Sequence, residues 1–164
     1  MCNDLEMATS ATTDDAVGEF AGQLFFRRWR VSHTRTAEAL GSIGLTTALF
    51  ALLNVLGPRE GAIQQELGSA MGVDPSTMVS LIDQLENAGL AKRRPRPTDR
   101  RAREIAITPK GRRALEQARR LAMQVEDDVL RGLSPAERRR MLALLRRAVD
   151  SAPQQSPWTA EEGD

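Results

Sequence analysis

Seven basic residues fall within twelve positions: Lys92, Arg93, Arg94, Arg96, Arg100, Arg101 and Arg103. One acid, Asp99, stands among them. Guanidinium groups bond phosphate oxygens and guanine edges, so the cluster suits a polyanion. At the tip of a hairpin it could enter a minor groove, where narrow stretches concentrate negative potential. Asp99 fits a structural partner that fixes the direction of one arginine better than a catalytic acid. A surface pair of that kind adds little stability. A second constellation lies just upstream: Ser76, Thr77, Ser80, Asp83, Gln84 and Asn87. All are small or amide-bearing except Asp83. Serine and threonine can donate or accept at a base edge, and glutamine can bond an adenine edge with both its polar atoms. A helix starting near Ser76 and Thr77 would also offer free backbone N–H groups to a phosphate. Taken singly, the same residues also describe a solvated amphipathic helix and an arginine-rich face.

Catalysis finds few parts. The chain has one histidine, His33, one cysteine, Cys2, and no tyrosine. There is no glycine-rich phosphate loop and no serine-in-turn motif. One imidazole and one thiol cannot assemble a recognisable metal site or an intrachain disulfide. The expectation is therefore no enzyme, no metal and no cofactor.

The net charge of +1 conceals segregation. Residues 1–19 hold five acids and no base, whereas Lys92 to Arg120 carry twelve bases against three acids. The last residues add Glu161, Glu162 and Asp164 without a base. A concentrated basic segment is the electrostatic footprint of a polyanion partner. No apolar run approaches the ~20 residues that span a bilayer, and the first residues lack the basic and apolar regions of a secretory signal. The expected location is the cytoplasm, with no membrane partner.

The elements that must hold these residues are mostly helical. Residues 1–13 show no apolar period and read as a disordered arm, and 151–164 as a flexible tail. A first helix is expected from Asp14 to Glu38, capped by Asp14 or Asp15. Its apolar residues, Val17, Phe20, Leu24, Phe25, Phe26, Trp29 and Val31, make a face wider than one stripe. Thr46 or Thr47 opens a second helix, apolar nearly all round, which Gly57–Pro58 ends. A third is expected from Gly61 to Met71, with Gly72 as its stop. Asp74 caps a fourth, with Pro75 at its first position and Met78, Leu81, Ile82 and Leu85 on its core face. Gly89 stops it. Leu90–Arg94 and Arg101–Ile107 are candidate strands around a turn at Pro95–Arg100, the second alternating as a half-buried strand does. Thr108–Pro109 opens a fifth helix. The capping box Ser134-Pro135-Ala136-Glu137 opens a sixth. The fold class is mainly α with a small β-hairpin wing: a winged helix-turn-helix with a helical dimerisation region. The turn Met71-Gly72-Val73-Asp74 has the length a helix-turn-helix bend needs, which would place the fourth helix in a major groove.

Four segments now stand in order: Val73-Asp74-Pro75-Ser76-Thr77, Leu85-Glu86-Asn87-Ala88-Gly89-Leu90, Asp99-Arg100-Arg101 and Ile107-Thr108-Pro109-Lys110-Gly111. In sequence and spacing the chain resembles the MarR family of bacterial regulators, best from Gly44 to Leu115. The resemblance implies a homodimer in which the first, fifth and sixth helices pack on the partner's. It implies that Arg101 contacts the minor groove, with Asp99 orienting it. It also implies a cleft for small aromatic acids or phenols, which Phe26, Trp29 and His33 could line, with Arg30 or Arg27 pairing an anionic ligand. The plainer alternative packs Trp29 in the core or an interface and leaves His33 solvated. The chain departs from the family pattern at Ser80 and Gln84, where arginine is frequent, and at Leu49, where glutamine is. Cys2 lies in the arm, away from the structured, low-pKa setting of a sensing thiol. Trp158 lies in the tail with no evident partner.

Dimerisation also has an independent argument, because one copy of the first helix is too little to cover the apolar faces of the fifth and sixth. The expected boundaries are 14–40 for the first dimerisation helix, 45–108 for the DNA-binding unit and 109–150 for the C-terminal dimerisation helices. The expected DNA contacts are Ser76, Thr77, Ser80, Gln84, Arg93, Arg94, Arg96, Arg100 and Arg101. The function these readings support is a homodimeric repressor of palindromic double-stranded DNA, released by a small aromatic or anionic effector. The second is a winged-helix protein-interaction module that does not read DNA sequence.

Overall fold

The computed structural model describes residues 20–96 and 99–151. Among them are six helices and one two-stranded antiparallel sheet. The helices are α1 (Ala21–Gly41), α2 (Thr47–Leu56), α3 (Gln64–Met71), α4 (Pro75–Asn87), α5 (Pro109–Val129) and α6 (Pro135–Ser151). The strands β1 (Ala91–Arg96) and β2 (Asp99–Ile107) lie between α4 and α5. This is the mainly helical, hairpin-bearing winged architecture expected from the sequence. The expectations for the arm, the tail beyond Ser151, Cys2, Trp158 and the Asp14 or Asp15 cap lie outside the described residues.

The core forms where α2 meets α3, α4, β2 and α5. Leu49, Leu52, Leu53 and Leu56 of α2 are buried together with Leu67, Met78, Ile82, Leu85, Ile105 and Leu115. Burying such a side chain stabilises the fold by ~1.5–3 kcal/mol, so this cluster, rather than helix propensity, holds the short α2 and α3 in place. Leu49, the departure from the family pattern, is a core residue 6% exposed.

Local chemistry sets the element ends. Thr46 Oγ1 accepts from Leu49 N at 3.2 Å and opens α2. Gly72 takes a left-handed φ of 63° to end α3, and Gly89 one of 69° after α4, conformations that cost L side chains. Thr108 Oγ1 accepts from Gly111 N at 3.0 Å and opens α5 behind Pro109. Ser134 and Glu137 form the reciprocal capping box of α6. That pairing holds the Glu137 carboxyl below its ordinary pKa, chiefly through the Ser134 hydroxyl.

Three boundaries and one burial pattern differ from the sequence reading. Phe20 is extended, with φ −91° and ψ 113°, so the described α1 begins at Ala21 and runs three residues past Glu38. Residues Gly61–Ile63 are not helical. Ala62 bridges Ile105, N–H to carbonyl in both directions at 3.0 and 2.8 Å, and α3 starts at Gln64. The hairpin strands reach further into the expected turn, with Pro95 opposite Arg103 and Arg96 opposite Asp99. Proline is tolerated there because β1 is an edge strand, β2 being flanked by Ala62 on its other side. Finally, Glu104, Ile105, Ala106 and Ile107 are all buried rather than alternating.

The long helices sit differently from the core. Helix α1 packs along α5, and Arg35 of α1 lies 3.8 Å from Asp128 of α5. Helix α6 buries none of its residues. Its first turn is tied to α5 by Arg138, whose Nη1 reaches Asp127 Oδ1 at 2.5 Å and whose Nη2 reaches the Asp127 carbonyl at 3.0 Å. No helix among the described residues is long and apolar enough to cross a membrane.

Candidate nucleic-acid interface

Helix α4 turns Met78, Leu81, Ile82 and Leu85 inward. The opposite face presents Ser76, Thr77, Ser80, Asp83, Gln84 and Asn87, all exposed. The N-terminus of this face is already occupied. Asp74 Oδ1 accepts from Ser76 N and Thr77 N, both at 2.9 Å, and from the Ser76 hydroxyl at 2.5 Å. Its Oδ2 accepts from the Thr77 hydroxyl at 2.5 Å. These bonds, the Ser76 hydroxyl first and the Thr77 hydroxyl next, hold the Asp74 carboxyl well below the usual carboxylate range. The free phosphate-binding donors expected at this helix start are therefore not free: a carboxylate has taken them. Ser76 and Thr77 keep acceptor capacity, but their hydroxyl protons point at Asp74. Further along, Gln84 Nε2 donates to Ser80 Oγ at 3.3 Å, so two of the expected base-reading residues touch each other.

The wing is joined to α4 at its root. The Arg93 backbone N–H donates to Glu86 Oε1 at 2.5 Å, and its guanidinium pairs with the other Glu86 oxygen. The same guanidinium reaches Asp83 Oδ1 through Nη2 at 2.7 Å. Burial opposes the charge on Arg93, but Asp83 and Glu86 outweigh it and raise the pKa. On the other side of the hairpin, Arg94 Nε donates to Glu104 Oε1 at 2.6 Å and Nη2 donates to the Glu60 carbonyl at 2.9 Å. Glu104 is buried, and a Cβ on Gly61 would come within 2.7 Å of its carboxyl carbon, so a larger residue there would push the carboxylate aside. Arg93 and Arg94, both expected to meet DNA, thus spend their guanidinium groups on protein carboxylates. Lys92, Arg96 and Arg103 are exposed. The side chains of Asp99, Arg100 and Arg101 lie outside the description, so the orientation of Arg101 by Asp99 does too. Their backbone belongs to β2.

A third set of contacts locks the wing to α5. The Thr108 hydroxyl lies 2.8 Å from the Gly89 carbonyl, and Lys110 Nζ donates to the Ala88 carbonyl at 2.7 Å. Gly111 lies so close to Leu90 that a Cβ would stand 2.0 Å from the carbonyl oxygen. On α2, Arg112 Nη1 donates to the Gly57 carbonyl at 3.0 Å and Arg119 Nε to Asn54 Oδ1 at 2.8 Å.

The residues considered for an effector lie on α1. Trp29 stacks between Phe26 and His33, with ring centroids 6.1 and 4.9 Å apart. Phe26 and Trp29 keep 58% and 57% of their surface exposed, so in the single chain Trp29 is not a core residue. Arg30 lines a separate open groove of about 340 Å³ with Val31, Thr34, Arg35 and Glu38. A larger, mostly apolar cavity of about 430 Å³ lies between Phe25 of α1 and Met141, Leu144, Leu145 and Ala148 of α6. Sequence reasoning did not find it, because it depends on how α6 folds back beside α1. Among the described residues no three His, Cys, Asp or Glu side chains gather as a metal site.

Comparison with known proteins agrees with this geometry. The profile of the MarR family matches residues 45–102, from the start of α2 into the wing. A protein named as transcriptional regulator for the hcr operon of Thauera aromatica is 37% identical over 134 residues, 79% of this chain and 81% of its own length. The structure of CouR from Rhodococcus jostii RHA1, solved bound to p-coumaroyl-CoA, superposes with a TM-score of 0.71 at 27% identity, covering 85% of this chain and 98% of CouR. The Mycobacterium tuberculosis MarR family protein Rv2887, solved in complex with DNA, superposes with a TM-score of 0.69 at 25% identity, covering 79% and 97%. The fold, the capped α4 with its docked basic hairpin and these likenesses together place the chain in the MarR family of winged helix-turn-helix, DNA-binding transcriptional regulators.

Proposed function

We propose that the chain acts as a homodimeric repressor that binds palindromic double-stranded DNA, with α4 in the major groove and the β1–β2 wing in the adjoining minor groove. The observation that carries this reading is the double tie of Arg93 to Asp83 and Glu86, which holds the recognition helix and the basic hairpin as one body. In this reading residues 45–108 form the DNA-binding unit. Ser80 and Gln84 read bases, with Ser76 and Thr77 as acceptors beside them. Arg96, Arg100 and Arg101 supply the charge that meets the phosphates and the minor groove, with Asp99 orienting Arg101. Rv2887, which shares this fold and was solved in complex with DNA, supports DNA binding by the chain. A two-fold dimer sets the two recognition helices ~34 Å apart, one turn of DNA. Support for the dimer comes from apolar residues left uncovered on three helices: Leu24, Phe25, Met123, Leu144 and Val149. The decisive experiment measures affinity for the DNA upstream of the chain's own gene, and for random DNA, as salt rises. Retained preference for the upstream sequence supports the regulator. Equal weak binding to both sinks it in favour of a protein-interaction module.

The effector reading rests on the exposed ladder Phe26–Trp29–His33 with Arg30 nearby, and on the aromatic thioester held by CouR. An aromatic or anionic ligand bound between the dimerisation helices and the DNA-binding unit would change the spacing of the recognition helices. Ligand and DNA affinities are then coupled reciprocally. Titration with salicylate and with p-coumaroyl-CoA, following tryptophan emission in the wild type and in Trp29→Phe, tests it. A response to neither compound removes this site for both.

A further inference from the structure

Asp83 is an acid on the surface that meets a polyanion, where a free carboxylate would repel phosphate. It is not free: Arg93 Nη2 holds its Oδ1 at 2.7 Å, and Arg93 is itself fixed by Glu86 and by its own place in β1. The side chain of Asp83 nonetheless remains 50% exposed, against 28% for Arg93. Among the described residues nothing bonds its Oδ2. Asp83 also lies on the same face as Ser76, Ser80 and Asn87, seven, three and four residues away, the spacings that share one side of a helix. The result is a carboxylate with one oxygen anchored and half its side chain exposed on the recognition face, sharing the single positive charge of Arg93 with Glu86.

A carboxylate can only accept. In the major groove, guanine shows two acceptors and thymine an acceptor and a methyl group, so both repel it or leave it unpaired. Adenine offers a donor, but beside the N7 acceptor. Cytosine alone shows the N4 amino donor without an adjacent acceptor on the same base. We propose that Asp83 is a specificity-determining residue that selects cytosine at one position of each half-site, and that Arg93 is its positioning residue rather than a phosphate contact. The inference rests on the reading that α4 enters the major groove.

The test is sequence selection by the purified full chain from duplexes with a randomised core of about 30 base pairs, three helical turns. It is run in parallel on the wild type, Asp83→Asn and Asp83→Ala. The wild type is expected to enrich a two-fold motif with cytosine at one symmetric position. Asp83→Asn, whose amide matches the adenine N6/N7 pair, is expected to change that position from cytosine to adenine and leave the others alone. Asp83→Ala is expected to lose preference there only. A purely structural Asp83 would alter affinity for all sequences together without moving the motif. An unchanged motif in both variants therefore overturns the inference, and so does the loss of all binding by folded variants, checked by circular dichroism. If the wild type itself enriches no motif, the broader reading of sequence-specific DNA binding fails instead, and this inference with it.

Discussion

Gly111 shows how much a single missing side chain can decide. A methyl group there would stand 2.0 Å from the Leu90 carbonyl oxygen, a backbone atom that cannot swing aside. Gly111→Ala should therefore destabilise the chain by ~1–3 kcal/mol, the usual range for overpacking, read as a lower urea midpoint. Arg101→Ala should weaken binding to the selected DNA by ~1–3 kcal/mol, the range for a well-placed base contact, and unchanged affinity would remove Arg101 from the wing role. The residues that carried the family resemblance were legible because they make joints. Thr108 and Gly111 seat α5 against the root of the wing, and Glu86 and Gly89 turn the chain from α4 into β1. What the basic cluster could not reveal was which arginines are already engaged. Arg93 and Arg94 look like their neighbours in sequence. Only the folded chain brings Asp83, Glu86 and Glu104 to them, from seven to ten positions away.

At the scale of elements, the wing depends on a carboxylate that the alternating pattern left unexplained. Glu104 is buried against Arg94 and Gly61, so Glu104→Ala leaves the Arg94 guanidinium without its charged acceptor. A loss of ~1.5–3 kcal/mol is expected, the range for a hydrogen bond to a charged group, measured by denaturation. Helix α4 depends instead on its cap. Because the folded Asp74 carboxyl titrates below its unfolded value, its contribution is complete above the ordinary carboxylate pKa and is lost as pH falls towards the folded value. The stability gap between wild type and Asp74→Ala should be widest at neutral pH and narrow steadily below about pH 4. A gap independent of pH would show that the charge is irrelevant to the cap. The elements themselves were readable where caps and periods agree, as at Asp74–Pro75 and Thr108–Pro109. They were misread where a long-range partner decides. Gly61 to Met71 reads as one helix until Ala62 is claimed by Ile105, and no local signal announces a bridge across more than forty residues.

For the whole molecule, the apolar faces of α1 and α6 determine what assembles. Leu144→Glu with Val149→Glu places charge on two exposed positions of α6 and touches no core residue. The double variant should stay folded by circular dichroism yet sediment as a monomer and lose at least tenfold in DNA affinity, since half the recognition surface is removed. An unchanged sedimentation coefficient would place the interface elsewhere. Overall architecture was the most legible scale, because six capped or punctuated helices and one basic hairpin admit few arrangements. The cavity between α1 and α6 was the least, because it belongs to the packing of two helices far apart in sequence. The exposed face of α4 stands apart from the core. Ser80, Gln84 and Asn87 bury nothing in the core, and surface changes of this kind usually stay within about ±0.5 kcal/mol. The face can therefore be rewritten as a cassette, grafted from one relative to another while the joints that carry the fold remain untouched. Position 83 is the exception, because a graft that changes it leaves Arg93 with Glu86 as its remaining carboxylate partner.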